Sequence, residues 1–182
     1  MKNAAFRYRA SIEELTFDTA RGIEQSKVML LSTGSYIRNG ESVLITGAAG
    51  CGKSFLASAL GMQACRQGYT VNYYNMQKLM ARFKIARLEG NSISLFDKLA
   101  KTELLIVDDF GLSSMDNLQQ LDFMEIIEDR HGRKATIIAS QLPVANWFDI
   151  FKEETVADAI LDRIVHTSHR FELKGESLRK KQ

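Results

Sequence analysis

Residues 43–54, VLITGAAGCGKS, limit the possible folds more than any other stretch of the chain. Val43 to Thr46 is a short apolar run rich in β-branched residues. Gly47, four further residues, then Gly52, Lys53 and Ser54 follow, and from there Phe55, Leu56, Ala59 and Leu60 take helical spacing. Strand, glycine loop and helix in that order form the setting a phosphate-binding P-loop requires. Gly47, Gly50 and Gly52 let the backbone turn tightly and approach an anion closely. The loop from Gly47 through Ala48, Ala49, Gly50, Cys51, Gly52, Lys53 and Ser54 to Phe55 then presents its amides at the positive end of the following helix. Lys53 is placed to reach the β- and γ-phosphates, and the Ser54 hydroxyl to sit on Mg²⁺. Only backbone groups are needed at position 51, so Cys51 reads as a small filler.

A chain of 182 residues suits one domain with a full core. No apolar run approaches the ~20 residues needed to span a bilayer. The start, MKNAAFRYRA, lacks the apolar centre of a secretory signal. Cys51 and Cys65 form no CxxC or Cys/His ligand pattern, which points to a reduced cytoplasm. His166 and His169 lie three residues apart without further ligands nearby and read as packing or exposed residues. The net charge of +2 does not announce a nucleic-acid binder. Its distribution says more. Lys2, Arg7 and Arg9 are basic at the start, Lys174, Arg179, Lys180 and Lys181 at the end, and Lys78, Arg82, Lys84 and Arg87 fall together with no acid among them.

Taken in order, residues 1–10 read as an extended basic arm and residues 11–33 as one or two helices. Turns follow at Gly34 and Asn39-Gly40, before the P-loop strand. The helix after the loop runs to about Arg66. Thr70 to Tyr74 is a second strand, followed by helical pieces over 76–88 and 92–100. Leu104 to Val107 is a continuous apolar run of the kind buried on both faces. A helix over 117–131, a buried strand over 136–139, a helix over 155–166 with Thr155 as its N-cap and a short strand over 171–173 complete the pattern. Alternating strands and helices predict an α/β fold, a parallel sheet between helices, with ligands at the carboxyl ends of the strands.

Two strand ends carry further chemistry. Leu104 to Val107 delivers Asp108 and Asp109, the arrangement of a Walker B acid pair. Asp108 would hold Mg²⁺ through its water shell, and Asp109 would polarise an attacking water. The strand over 136–139 delivers Ser140 and Gln141. Gln141 is the candidate for sensing the γ-phosphate, and Ser140 competes for that place.

Four segments, ITGAAGCGKS, LLIVDDFGL, IIEDRHGRKATIIASQLPV and ADAILDRIVHTSHRFELKGESLRKK, together resemble the IstB-like ATP-binding proteins of bacterial insertion sequences. These are AAA+ ATPases close to the DnaC helicase loader. The GKS motif alone would name only a superfamily; the C-terminal block is more specific. The resemblance implies a five-stranded AAA+ P-loop NTPase domain over 11–174 with little or no C-terminal lid, between a basic arm (1–10) and a basic tail (175–182). It also implies that a small N-terminal helical domain of full-length members is absent. Asp109 stands where many relatives have Glu, so its shorter reach suggests slow hydrolysis.

What the resemblance implies for function is an ATP- and Mg²⁺-dependent helper of transposition. Such a protein assembles as a homo-oligomer, ring or helical filament, on double-stranded DNA, remodels it and recruits a partner transposase. The family pattern puts an arginine finger at Arg163, acting on the neighbouring subunit's nucleotide. Val156, Ile160 and Ile164 share one helix face with Arg163 on its flank, and a salt bridge to Asp162 or Asp158 is the competing reading. Arg170 is a weaker candidate for a second sensor. The helices between the second and third strands correspond to a DNA-facing elaboration in the initiator and loader branch, which makes Lys84 and Arg87, then Lys78 and Arg82, the DNA candidates. Arg7, Arg9 and the tail are secondary. A helicase loader, a small-molecule P-loop kinase and a nucleotide-dependent scaffold remain as alternative readings.

Overall fold

The computed structural model describes residues 4–178. Strands β1 (Ser42–Gly47), β2 (Val71–Asn75), β3 (Leu104–Phe110), β4 (Ala135–Ser140) and β5 (Ser168–Leu173) form one parallel sheet in the order β2-β3-β4-β1-β5. Each interior strand is apolar on both sides because both faces are covered. In β1, Val43 and Ile45 enter one core and Leu44 the other; in β3, Leu104 and Ile106 alternate with Leu105 and Val107. Helices α1 (Gln25–Ser32), α2 (Ser35–Asn39) and α3 (Lys53–Arg66) pack into the first core. Helices α4 (Met76–Leu88), α5 (Ser92–Lys101), α6 (Asn117–Arg130) and α7 (Glu154–Val165) pack into the second.

The strand order positions the site. Because β4 lies between β1 and β3, its carboxyl end, Ser140-Gln141, stands between the glycine loop after β1 and the acid pair of β3. Asn75, the last residue of β2, is in register with Asp108 on β3. Helix α3 approaches the sheet closely at Gly61, where a Cβ would lie 2.5 Å from the Phe6 ring and 2.7 Å from Ile106. That contact explains a glycine inside a helix, which otherwise costs about 1 kcal/mol relative to alanine.

Several expectations are corrected. Thr155 is not an N-cap: α7 starts one residue earlier, and its N-cap, Glu153, makes no side-chain capping bond. Residues 11–33 contain two 3-10 turns (Ile12–Glu14 and Thr19–Arg21) before the regular helix α1, because Ser11 and Asp18 draw nearby amides into short local turns. The last strand begins at Ser168, three residues before the apolar signal at Phe171. Among the described residues it is an edge strand paired with β1 alone, so its polar half gives no buried-strand pattern.

The arm is not free over its described part. The Ala4 carbonyl accepts the Tyr73 amide at 3.0 Å, Ala4 and Ala10 are buried, and Phe6 meets the Tyr73 ring edge-on at 6.1 Å. These two buried anchors outweigh the two cations between them, Arg7 and Arg9. The start of the tail is likewise held, with the Leu178 amide donating to the Gly50 carbonyl at 2.9 Å and Arg21 Nη2 to the Glu176 carbonyl at 2.9 Å. Lys2, Arg179, Lys180 and Lys181 lie outside the described residues.

Candidate nucleotide site

The glycine loop adopts the conformation its sequence requires. Gly50 and Gly52 have φ of 79° and 104°, values an L side chain rarely adopts. A Cβ at Gly50 would fall 2.2 Å from Ser177 Oγ, so this glycine also admits the returning chain end. Cys51 is buried in the first core with its sulfur against Gly47, the filler role expected of it. Lys53 opens α3 and is only 6% exposed; its Nζ donates to the Ala48 carbonyl at 2.8 Å. A buried ammonium held inside the loop has few other places to go than an anion in the cradle.

At the end of β3 the ladder slips. Val107 pairs with Ile138 and Phe110 with Ser140, so β3 fits one more residue than β4 between those two pairs. The bulge puts Asp109 at φ 57°. A left-handed non-glycine residue costs roughly 1–2 kcal/mol, and aspartate is among the few side chains that tolerate it. The turn re-aims Asp109 out of the sheet and into a pocket of about 530 Å³ lined by Ala49, Gly50, Gly52, Lys53, Ser54, Asp109 and Gln141. The structure thus brings together the loop, Lys53, Ser54, Asp109 and Gln141. Ser140 does not compete: it is fully buried, and its hydroxyl donates to the Phe110 carbonyl at 2.7 Å, tying β4 to the bulge.

Asp108, 1% exposed, is next in sequence to Asp109 and lines a neighbouring cavity with Arg7, Tyr73 and Asp109. The Tyr73 hydroxyl donates to its Oδ2, and the Asp109 amide donates to its Oδ1 at 2.8 Å. Ser54 also acts on the Tyr73 hydroxyl, so Ser54 and Asp108 both lie beside that one group. Burial, and then Asp108, push the Tyr73 pKa far above its ordinary value, which keeps the phenol a neutral donor. A hydroxyl and a buried carboxylate that reach one atom can also reach one hard cation, so the donor set fits Mg²⁺. Among the described residues no cluster of three or more His, Cys, Asp or Glu side chains could hold a metal by itself. A magnesium ion here would therefore depend on phosphate oxygens and water for its remaining ligands. His169 instead pairs with Glu41 at 2.6 Å, and His166 is exposed.

Three residues beside these acids are not assigned to the nucleotide site by the sequence pattern. Asn75 donates from Nδ2 to Asp109 Oδ2 at 2.9 Å. Arg7 Nη1 lies 3.2 Å from the same oxygen and 3.6 Å from Asp108 Oδ2. Tyr73 is the third. The signal for Asn75 was present: it is a polar residue at a strand's carboxyl end, like Asp108 and Gln141. Arg7 and Tyr73 gave none, because neither belongs to a spaced motif.

Arg163 is placed elsewhere. It lies at the amino ends of the strands, near Ser42 and Thr136, opposite its own chain's glycine loop. Its Nε pairs with Glu128 of α6 at 2.5 Å, and Nη1 donates to the Ala159 carbonyl at 2.8 Å. The partner is thus neither Asp158 nor Asp162. Arg170 is exposed and bonds Ser168, away from the pocket. On α4, Lys78, Arg82 and Lys84 are exposed. Arg82 stacks over Tyr74, and Arg87, also exposed, pairs with Asp122 of α6.

The sequence model of the IstB-like ATP binding proteins matches residues 1–182. An insertion-sequence ATP-binding protein of Sinorhizobium fredii, y4pL, is 42% identical over the whole chain, which spans 74% of that relative. The chain belongs to the IstB-like ATP-binding proteins. A second member from the same organism, y4uH, is 40% identical over 99% of this chain and 73% of its own length. The ATP-binding protein of the insertion sequence IS21 from Pseudomonas aeruginosa is 29% identical over the whole chain and 69% of its own length. The IstB-like chain has an AAA+ P-loop fold. It superposes on the DnaC helicase loader with a TM-score of 0.76 at 19% identity, covering 92% of this chain and 98% of the other. It superposes on AMPPCP-bound DnaA from Aquifex aeolicus with a TM-score of 0.77 at 18% identity, covering 95% and 53%. ATP binding is the property this IstB-like family carries in its description, and the loop after β1 is where the residues for it converge. Among the described residues no helix is long and apolar enough to cross a membrane.

Proposed function

We propose that the chain is an ATP-hydrolysing, DNA-binding helper of transposition that works as a homo-oligomer on duplex DNA with a transposase as partner. The observation that carries the reading is one pocket shared by the glycine loop, Lys53, Ser54 and Asp109, in a chain whose relatives are named for insertion sequences. In this reading the loop amides and Lys53 bind and orient the triphosphate. Ser54 and Asp108 would hold Mg²⁺, which supplies charge neutralisation between the β- and γ-phosphates. Asp109 accepts the proton of the attacking water, and Gln141 orients that water. The positive φ of Asp109 turns its short side chain toward the pocket, in part making up for the reach a glutamate would have.

Arg163 faces away from its own site, which agrees with a role on a neighbour's phosphates. To play it, the guanidinium must leave Glu128.

The DNA surface in this reading is the α4–α5 hairpin. Residues 76–101 hold six Lys and Arg against two acids, a net charge of +4 on a chain whose total is +2. Lys84 is its leading contact and Lys78 and Arg82 flank it. Arg87 is exposed there too, with Asp122 as its ion-pair partner. The hairpin tip also exposes Leu88 (82%) and Ile93 (76%) beside these cations.

The deciding experiment is ATP turnover with and without duplex DNA, paired with solution mass in ATP and in ADP. The expected result is DNA-stimulated hydrolysis and a larger assembly in ATP, both absent in Lys53→Ala. Turnover unaffected by Lys53→Ala refutes the site. Phosphoryl transfer to a small acceptor without any response to DNA refutes the transposition reading in favour of a kinase. Parallel capture by purified transposase and by replicative helicase separates this reading from a helicase loader.

A further inference from the structure

The segment that looked like a basic arm ends inside the nucleotide site. Arg7 Nη1 is 3.2 Å from Asp109 Oδ2 and 3.6 Å from Asp108 Oδ2, so one guanidinium faces the carboxylates assigned to metal and water. Arg7 also lines the pocket that holds Lys53, Ser54 and Gln141. Its placement is enforced from both sides. Upstream, Ala4 is buried and bonded to the Tyr73 amide, and Phe6 packs on Gly61 and Tyr73. Between them Ala5 takes φ 48°, a left-handed turn that a β-carbon resists, and that turn helps direct Arg7 inward. Downstream, Ala10 is buried again. The guanidinium can swing within the pocket, but its backbone is fixed.

We propose that Arg7 is a nucleotide-site cation acting in its own subunit: it holds the Asp108–Asp109 carboxylates until Mg²⁺ and nucleotide arrive, and then turns to the triphosphate. The inference rests on the ATP-binding reading. A dication and a guanidinium cannot share two adjacent carboxylates at 3–4 Å without mutual repulsion. Whichever fraction of molecules has Arg7 on the acids is closed to the metal, and the apparent affinity for Mg²⁺ falls by that fraction. A triphosphate offers the displaced guanidinium an equivalent partner, since planar guanidinium groups bind phosphate oxygens as well as carboxylates. Arg7 therefore makes metal binding depend on nucleotide. Mg²⁺ alone meets an occupied site, whereas Mg²⁺ with nucleotide meets one whose occupant has somewhere to go.

The test is equilibrium binding of a fluorescent, non-hydrolysable ATP analogue to the full chain, first without metal and then across an Mg²⁺ titration. Wild type, Arg7→Ala, Arg7→Gln and Arg7→Lys are compared, with thermal melting as the check on folding. Arg7→Gln removes the charge while keeping a polar, though shorter, side chain and serves if the alanine variant fails to fold. The expected result for the uncharged variants is a metal-free affinity about three- to tenfold weaker and an Mg²⁺ midpoint about tenfold lower. Arg7→Lys should lie between them and wild type. An Mg²⁺ midpoint unchanged in folded Arg7→Ala or Arg7→Gln overturns the proposal while leaving ATP binding intact. Failure of the wild type to bind the analogue with or without metal overturns the ATP-binding reading and this one together.

Discussion

Asn75 joins Asp109 to the basic hairpin. Its Nδ2 donates to Asp109 Oδ2 at 2.9 Å, while its Oδ1 caps α4 by accepting the amides of Gln77 and Lys78 at 3.0 and 3.2 Å. One planar amide thus fixes both the residue proposed to activate water and the first turn of the helix that carries Lys78, Arg82 and Lys84. A small rotation of α4 on contacting DNA would turn this amide and release or re-aim the carboxylate. Asn75→Ala should cost about 1 kcal/mol of stability through the lost cap. It should also reduce the DNA-dependent part of ATP turnover more than the basal part. Turnover with and without duplex, beside urea unfolding of the same variant, tests this. Equal loss in both would reduce Asn75 to a simple cap.

Arg163 presents a different geometry, because its present partner is known and its proposed target is on another molecule. The Glu128 pair is partly exposed, so Arg163→Ala should change stability by less than about 1 kcal/mol. Nucleotide binding to the isolated chain should stay at the wild-type value. Turnover in the assembled state should fall about a thousandfold if the guanidinium stabilises the neighbour's transition state. Mixing experiments add a sharper readout: Arg163→Ala with Lys53→Ala subunits should recover part of the activity, since each variant can lend the half-site its partner lacks. No recovery, with both variants still co-assembling, would remove Arg163 from the reaction.

What the sequence made legible follows from where the constraint is local. The glycine loop, the Asp108–Asp109 strand end and the alternating cores of β1, β3 and β4 are set by residues within a few positions of one another, so spacing alone locates them. Asp109 shows the limit. The residue was identified, but its left-handed backbone depends on the slip between β3 and β4, and nothing nearby in sequence announces that. Arg7 is the opposite case. Its role depends on contacts made across more than a hundred residues, and its neighbours in sequence suggested only a charged arm. The pairing of Arg87 is hidden for the same reason, because its acid, Asp122, sits on a later helix. Long-range pairing of this kind leaves no trace in local spacing.

Among the described residues Arg130 is a buried cation that pairs with no acid. It is 1% exposed, and its guanidinium donates to Thr136 Oγ1 at 3.0 Å and to the carbonyls of Leu99, Thr102 and Ala135. Burial lowers its pKa to about 9, still above neutrality. Leu99 and Thr102 lie at the carboxyl end of α5, where a cation is favoured by the helix dipole and the orphan carbonyls need donors. The residue therefore fastens the DNA-candidate hairpin to the start of β4. Arg130→Met should cost about 2–4 kcal/mol, since three carbonyls lose their donor in a dry site. Arg130→Lys should recover less than half of that, because an ammonium cannot span the same planar fork. Urea midpoints measure both. Loss confined to the α4–α5 amides in hydrogen exchange would show that the hairpin opens before the domain does.

The edge strand supplies a pH-dependent prediction. Glu41 stands just before β1, and His169 on β5 pairs with it at 2.6 Å, clipping the edge strand to β1. The hydrogen bond from His169 holds the Glu41 carboxyl below its ordinary pKa, against an opposing effect of partial burial, with Asn39 adding a smaller contribution in the same direction. A carboxyl whose pKa is lowered by folding binds fewer protons in the native state than in the unfolded one. It therefore stabilises the fold above its unfolded pKa of about 4.3, and that contribution fades as pH falls through the lower native value. Glu41→Gln should cost about 0.5–1 kcal/mol at neutral pH, the range for a partly exposed pair. The difference between variant and wild type should shrink steadily below about pH 5 and vanish once both would be neutral. Urea unfolding from pH 7 to pH 3 measures it. A constant difference across that range would mean that Glu41 holds β5 by shape and hydrogen bonding alone.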